Sequence, residues 1–84
     1  MLKIKVKQFY GKSQFIINTN DGEYFQSYNS IIAHRSNDWG IFLDEKYWDY
    51  SKTTGKYRNK FLNETKKETE KRIKNGDYKL VNLN

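Results

Sequence analysis

The sequence predicts an α+β domain: an antiparallel sheet of four to five strands formed by an N-terminal meander, then two C-terminal helices and a closing C-terminal strand. Three observations predict it. Up to Asp44 the apolar residues recur mainly at every second position, the period of a half-buried strand. The segments "YGK", "NDG" and "RSND" punctuate that pattern with turn-forming residues. From Ser51 onward the apolar spacing lengthens, with Tyr57 and Phe61 four apart on one helical face and Leu62 beside them. Eighty-four residues without repeats or linkers make one domain, 1–84.

The first strand is "LKIKVKQF", residues 2–9, with Leu2, Ile4 and Val6 expected inside and Lys3, Lys5 and Lys7 in solvent. "SQFIINT", 13–19, is the second, and "NDG" at 20–22 turns the chain because Asn, Asp and Gly tolerate positive φ. "EYFQSY", 23–28, is the third, with Tyr24, Gln26 and Tyr28 on one face and Phe25 and Ser27 on the other. "SIIAH", 30–34, fits either a strand continuing past a bulge or a single helical turn, because so short a run has no diagnostic period. "WGIFLD", 39–44, is a further strand with Trp39, Ile41 and Leu43 on one face. Trp48 and Tyr50 alternate as on a strand, which puts at least one of them toward the core.

Ser51, Thr53 and Thr54 are candidate N-caps for a helix beginning near residue 54. Asn63 or Thr65 restarts a second helix, and "TKKE" at 65–68 fits a capping box in which Glu68 reaches back to the Thr65 amide. Ile73 is that helix's one large apolar residue, so its contact with the core is light. "KNGDY" ends it with basic residues and Gly76 as a left-handed cap. "DYKLVNL", 77–83, is the last strand, returning to an edge of the meander.

Composition narrows the chemistry. A chain this short buries only ~60–65% of its unfolded surface, so its core is thin. Aromatics at 17% compensate with large area per residue. Without cysteine there is no disulfide and no thiolate metal site. No run of residues is apolar enough for a membrane span, and the N-terminus lacks the apolar stretch of a secretory signal, so no membrane contact and a cytoplasmic location are expected. His34 is the single histidine, which leaves neither a histidine-based triad nor a histidine metal site. Asp44, Glu45 and Asp49 match no calcium loop, and Lys46 lies among them. "TTGK" has the Gly-Lys pair of a phosphate loop but neither the upstream glycine nor the following hydroxyl. "ETK" at 64–66 has the local form of a nuclease motif but lies on an expected helix among cations. No enzyme, no cofactor and no catalytic residue are expected.

Charge points to a binding role. The net charge is +6, and the segment Lys52–Lys74 holds nine cations against three acids, a surplus of six that accounts for all of it. Such a segment attracts a polyanion at long range, or else is a solvated helix face that keeps a small protein soluble. In the first reading Ser51, Thr53 and Thr54 precede a helix whose free amides bind an anion. Lys52, Lys56, Arg58 and Lys60 neutralise phosphates, with Lys67 and Lys71 further along the basic segment. Trp48, Tyr50 and Tyr57, with Tyr47, stack on unpaired bases at ~1–3 kcal/mol apiece. The opposing reading makes the hydroxyls simple caps and the aromatics core. The expected partner is nucleic acid, DNA or RNA, or a host defence protein complex. The thin core and unpaired sheet edges add a homodimer as a further expectation.

"SYNSIIA" at 27–33, "WDYSKTTGKYRNKFL" at 48–62 and "IKNGDYKLVNL" at 73–83 together resemble a family of small uncharacterised proteins, a domain of unknown function, from bacteriophages and mobile elements of low-GC Gram-positive bacteria. The resemblance covers the last two-thirds of the chain and leaves the first strand outside. Its matching residues are Tyr28, Asn29, Trp48, Tyr50, Ser51, Thr53, Thr54, Lys56, Phe61 and Leu62. The family has no activity from which a catalytic residue carries over. The resemblance implies a cytoplasmic accessory protein of the host cell. In that setting the expectation is a non-enzymatic protein that binds nucleic acid through a basic helix N-terminus. The alternative is an anti-CRISPR-like inhibitor of a host defence complex; the basic charge disfavours DNA mimicry.

Overall fold

The computed structural model describes residues 4–84. Strands β1 (Lys5–Gln8), β2 (Gln14–Thr19), β3 (Gly22–Ser27), β4 (Ser30–Ser36) and β5 (Gly40–Asp44) form the meander. Helices α1 (Lys52–Leu62) and α2 (Lys66–Asn75) follow, then strand β6 (Tyr78–Val81). The architecture is α+β as expected, but the sheet has six strands, in the order β1-β2-β3-β4-β5-β6, rather than four to five. "SIIAH" proves to be strand, and the closing strand joins the same sheet. β6 pairs with β5 in parallel, because the two helices carry the chain back over the sheet before it re-enters.

The turn chemistry acts where the sequence put it. Asn20 and Asp21 form the loop between paired Thr19 and Gly22. Gly22 has φ 137°, and a Cβ there would meet the Arg35 carbonyl oxygen at 2.1 Å, so this position demands glycine. Between β3 and β4 the register shifts at Phe25/Gln26, which leaves Ile32 as an extra residue. The bulge lets consecutive residues Ile32 and Ala33 both be buried.

Ile16, Phe25, Ala33 and Leu43 are register neighbours across β2–β5 and line one face of the sheet. Phe61 and Leu62 of α1 close over them, with the Phe25 and Phe61 rings 5.7 Å apart. Arg35 fastens the end of α1 by donating to the Phe61 carbonyl, while its other nitrogen pairs with Glu23 at 2.9 Å. On α2, Ile73 packs against the same core, so both helices cover the same side. Glu64, between the helices, gathers the rest. Its carboxylate accepts from Tyr78 Oη at 2.7 Å and Thr69 Oγ1 at 2.6 Å and forms an ion pair with Arg72 Nε at 3.1 Å. A buried carboxylate with two hydroxyl donors and a cation beside it is a structural clamp.

The first strand departs from expectation. Val6 pairs with Ile17 and Lys7 with Ile16, so Lys5 and Lys7 share the core side of the sheet. Ile4 and Val6 lie on the opposite face, each 60% exposed, and Leu2 lies outside the described residues. The physical reason is Phe9. Its ring packs edge-on to Phe25 and Phe61, and its amide donates to the Gln14 carbonyl at 2.7 Å. Anchoring residue 9 inside puts residues 7 and 5 on the same side, because side chains alternate strictly. Trp39 is a second departure: it sits in the turn before β5 and is 80% exposed. Trp48 and Tyr50 are a third, since they lie in and just after the turn that follows β5, outside any strand.

Candidate nucleic-acid interface

Helix α1 begins at Lys52 because Ser51 caps it: the Thr54 amide donates to Ser51 Oγ at 3.1 Å. Thr54 is not at the surface. It is 1% exposed, and its hydroxyl shares a 2.9 Å hydrogen bond with Ser27 on β3. Of the three predicted hydroxyls, Ser51 caps, Thr54 docks the helix on the sheet, and Thr53 stands exposed beside Lys52.

Arg58 is also removed from the phosphate-facing set. It is 1% exposed. One terminal nitrogen donates to the Trp48 carbonyl at 2.7 Å and Asp49 Oδ1 at 3.3 Å, and the other to Asn59 Oδ1 at 3.0 Å. The guanidinium also lies 5.2 Å from the centre of the Trp48 ring. The turn before α1 needs a forked, permanently charged donor beneath it, and Arg58 supplies one.

What remains exposed on α1 is a lysine row. Lys52, Lys56 and Lys60 follow one another at four-residue spacing and therefore share one face. None of the three forms an ion pair among the described residues. Lys60 Nζ lies 4.6 Å from the centre of the Tyr10 ring, and Lys56 Nζ lies 5.7 Å from that of Tyr57. Tyr10 is 75% exposed. Lys5 and Lys7, on the helix-bearing side of the sheet, add to the same side of the molecule. Sequence reasoning missed Lys5, Lys7 and Tyr10. The signal was present: Phe9 shares the lysines' alternation, and it is the bulkier anchor.

Beside this row, Lys52, Lys56, Asn59, Lys66 and Asp49 line a cleft of about 580 Å³. Lys66 is tied to Asp49 at 2.8 Å. Burial alone would raise the Asp49 carboxyl, but bonds and charge from Lys66 and Arg58 hold it below the usual carboxylate range. Lys67 and Lys71 are exposed on α2, and Lys71 lines a different depression with Glu68 and Asp77. Tyr57 is half-buried over Gly11, where a Cβ would meet its hydroxyl at 2.7 Å. Trp48 is half-buried under Arg58. Tyr50 is 61% exposed and stacks on Tyr47 at 5.6 Å, at the mouth of a second cleft of about 510 Å³ that also includes Tyr28 and Asn29.

Asp44 accepts from the amides of Tyr47 at 2.8 Å, Lys46 at 3.0 Å and Leu83 at 2.8 Å. Burial would raise its carboxyl, but these donors and the Asn84 side chain hold it below the ordinary range. Among the described residues no three metal-ligating side chains cluster, and no helix is long and apolar enough to cross a membrane.

Sheet, helices and lysine row define a small α+β domain with a basic helix on its covered side. The chain belongs to a family of unknown function, DUF8033, whose model matches residues 2–77. The match takes in the first strand, which the resemblance had left outside, and ends before β6. No curated protein and no solved structure matches the chain.

Proposed function

We propose that this protein is a non-enzymatic nucleic-acid-binding domain whose contact surface is the exposed face of α1. The observation that carries it is the row Lys52, Lys56 and Lys60, unpaired among the described residues and flanked by Tyr10 and Tyr57. Three phosphates of one strand meet three cations along a helix, while the tyrosines offer faces to unpaired bases. Thr53 and the start of the helix add a weaker anion site at the Lys52 end. Arg58 and Thr54 hold that surface in place from below. The role of a cytoplasmic accessory protein in a phage or mobile element belongs to the same proposal.

Fluorescence-polarisation titration against single- and double-stranded oligonucleotides tests it. Binding at ~50 mM salt that weakens steeply as salt rises supports the reading, and no binding at low salt removes it. A second reading, an inhibitor of a host defence complex, rests on Tyr28, Trp39 and Tyr50, which are 54%, 80% and 61% exposed. A host partner captured after nuclease treatment favours that reading.

A further inference from the structure

Both helices pack on one face of the sheet, and among the described residues no helix covers the other. Register places Val6, Ile17, Tyr24, His34, Phe42 and Lys79 in one row across all six strands. Ile4 and Phe15 flank that row on the same face. Tyr24 and His34 stack face to face at 3.9 Å with planes 4° apart, and Phe42 follows at 6.2 Å from His34. The rings form a stacked aromatic strip beside an aliphatic patch, with Ile4 and Val6 each 60% exposed. His34 Nε2 is buried in that strip with no hydrogen-bond partner. A sheet hydrophobic on both faces needs a second layer on each.

We infer that a second copy of this chain supplies that layer, packing the same face against this one in a two-fold dimer. Charge selects the occupant. The row ends in a single cation, Lys79, and the nearby carboxylate of Asp44 is sealed beneath three amide donors. A polyanion would need several cations here, whereas a second copy of this mostly apolar face brings only Lys79 at the sheet edge and the Asp21 carboxylate in a turn, both exposed and able to stay in solvent at the rim. Size is adequate. Six strands at ~4.8 Å and about five residues at ~3.4 Å give roughly 500 Å² in plan per copy, before side-chain relief is counted. That approaches the ~800 Å² of accessible surface that each partner buries in a standard interface. A two-fold operator makes the contact self-complementary and closed, so it ends at two copies. The lysine row of α1 lies on the other side of each sheet and stays open in the dimer.

The test is the mass of the full-length chain in solution, by light scattering on a sizing column and by sedimentation equilibrium. The wild type is expected at twice the chain mass. Val6→Glu, at an exposed edge position, is expected to raise the dimer dissociation constant at least ~10-fold, because dimerisation would bury a new unpaired charge. Ile4→Glu repeats the test at a second exposed site should the first variant fold poorly, with circular dichroism as the check. Lys52→Glu, on the other side, is expected to leave the mass unchanged. A wild type of single-chain mass up to its solubility limit overturns the inference, as does an undiminished dimer in both folded glutamate variants. Capture of anionic vesicles or oligonucleotides that Val6→Glu abolishes in a single-chain wild type also overturns it. Oligonucleotide binding through α1 is a separate measurement, and its failure leaves the dimer standing.

Discussion

Arg58 lies 5.2 Å from the centre of the Trp48 ring and donates a 2.7 Å hydrogen bond to the Trp48 carbonyl. This relationship turns a predicted phosphate ligand into the keystone of the turn that leads into α1. Arg58→Lys keeps the charge but loses the fork, and should destabilise the fold by ~2–4 kcal/mol through unpaired buried groups. Urea unfolding measures that loss. Folded Arg58→Lys protein should keep the wild-type salt slope of oligonucleotide binding.

Ser27 and Thr54 join β3 to the first turn of α1 through one buried hydrogen bond of 2.9 Å. Thr54→Val keeps the shape, removes the hydroxyl and strands its partner. The expected cost is ~1–3 kcal/mol, read as a lower urea midpoint at unchanged slope.

Tyr78 gives the protein an alkaline limit. Burial, then the bond and charge of Glu64, push its hydroxyl up to about 12 from 10.0. A raised folded pKa contributes stability that is complete below the unfolded value and lost as the pH climbs from 10 toward 12. Tyr78→Phe should flatten that part of the stability profile relative to wild type. Equal alkaline slopes in the two proteins would remove Glu64–Tyr78 as the cause.

His34 works in the other direction. Burial against its neighbours lowers its pKa from 6.5, and the Asp21 carbonyl and carboxylate only partly oppose this. The unfolded chain therefore binds the proton first. Stability from this group is complete above 6.5 and falls as the pH drops through the lower folded value. His34 is the only histidine, so its imidazole protons report directly by NMR, with a midpoint expected below 6.5.

The features legible in the sequence were local. The capping box of Thr65 and Glu68, the left-handed Gly76 and the Asn20–Asp21 turn each depend on a few adjacent residues. What failed was set at a distance. The sidedness of β1 follows from where Phe9 docks, and hydropathy alternation alone gave the reverse. Ile32 and Ala33 are both buried only because a bulge inserts a residue opposite β3. Arg58 looks like its lysine neighbours in sequence, and only the turn carrying Trp48 and Asp49 draws it inward. Lys52, Lys56 and Lys60 were legible as a basic group but not as a row set apart from Arg58; on the helix their four-residue spacing, close to the 3.6-residue turn, puts them on one face.

The most direct measurement is the salt dependence of oligonucleotide affinity for wild type and for Lys52→Ala/Lys56→Ala/Lys60→Ala. Each lysine–phosphate contact contributes ~0.7 to the log–log slope on a single strand, so losing three should make it shallower by about two. A triple variant that folds normally yet keeps the wild-type affinity and slope would contradict the assignment of α1 as the binding face.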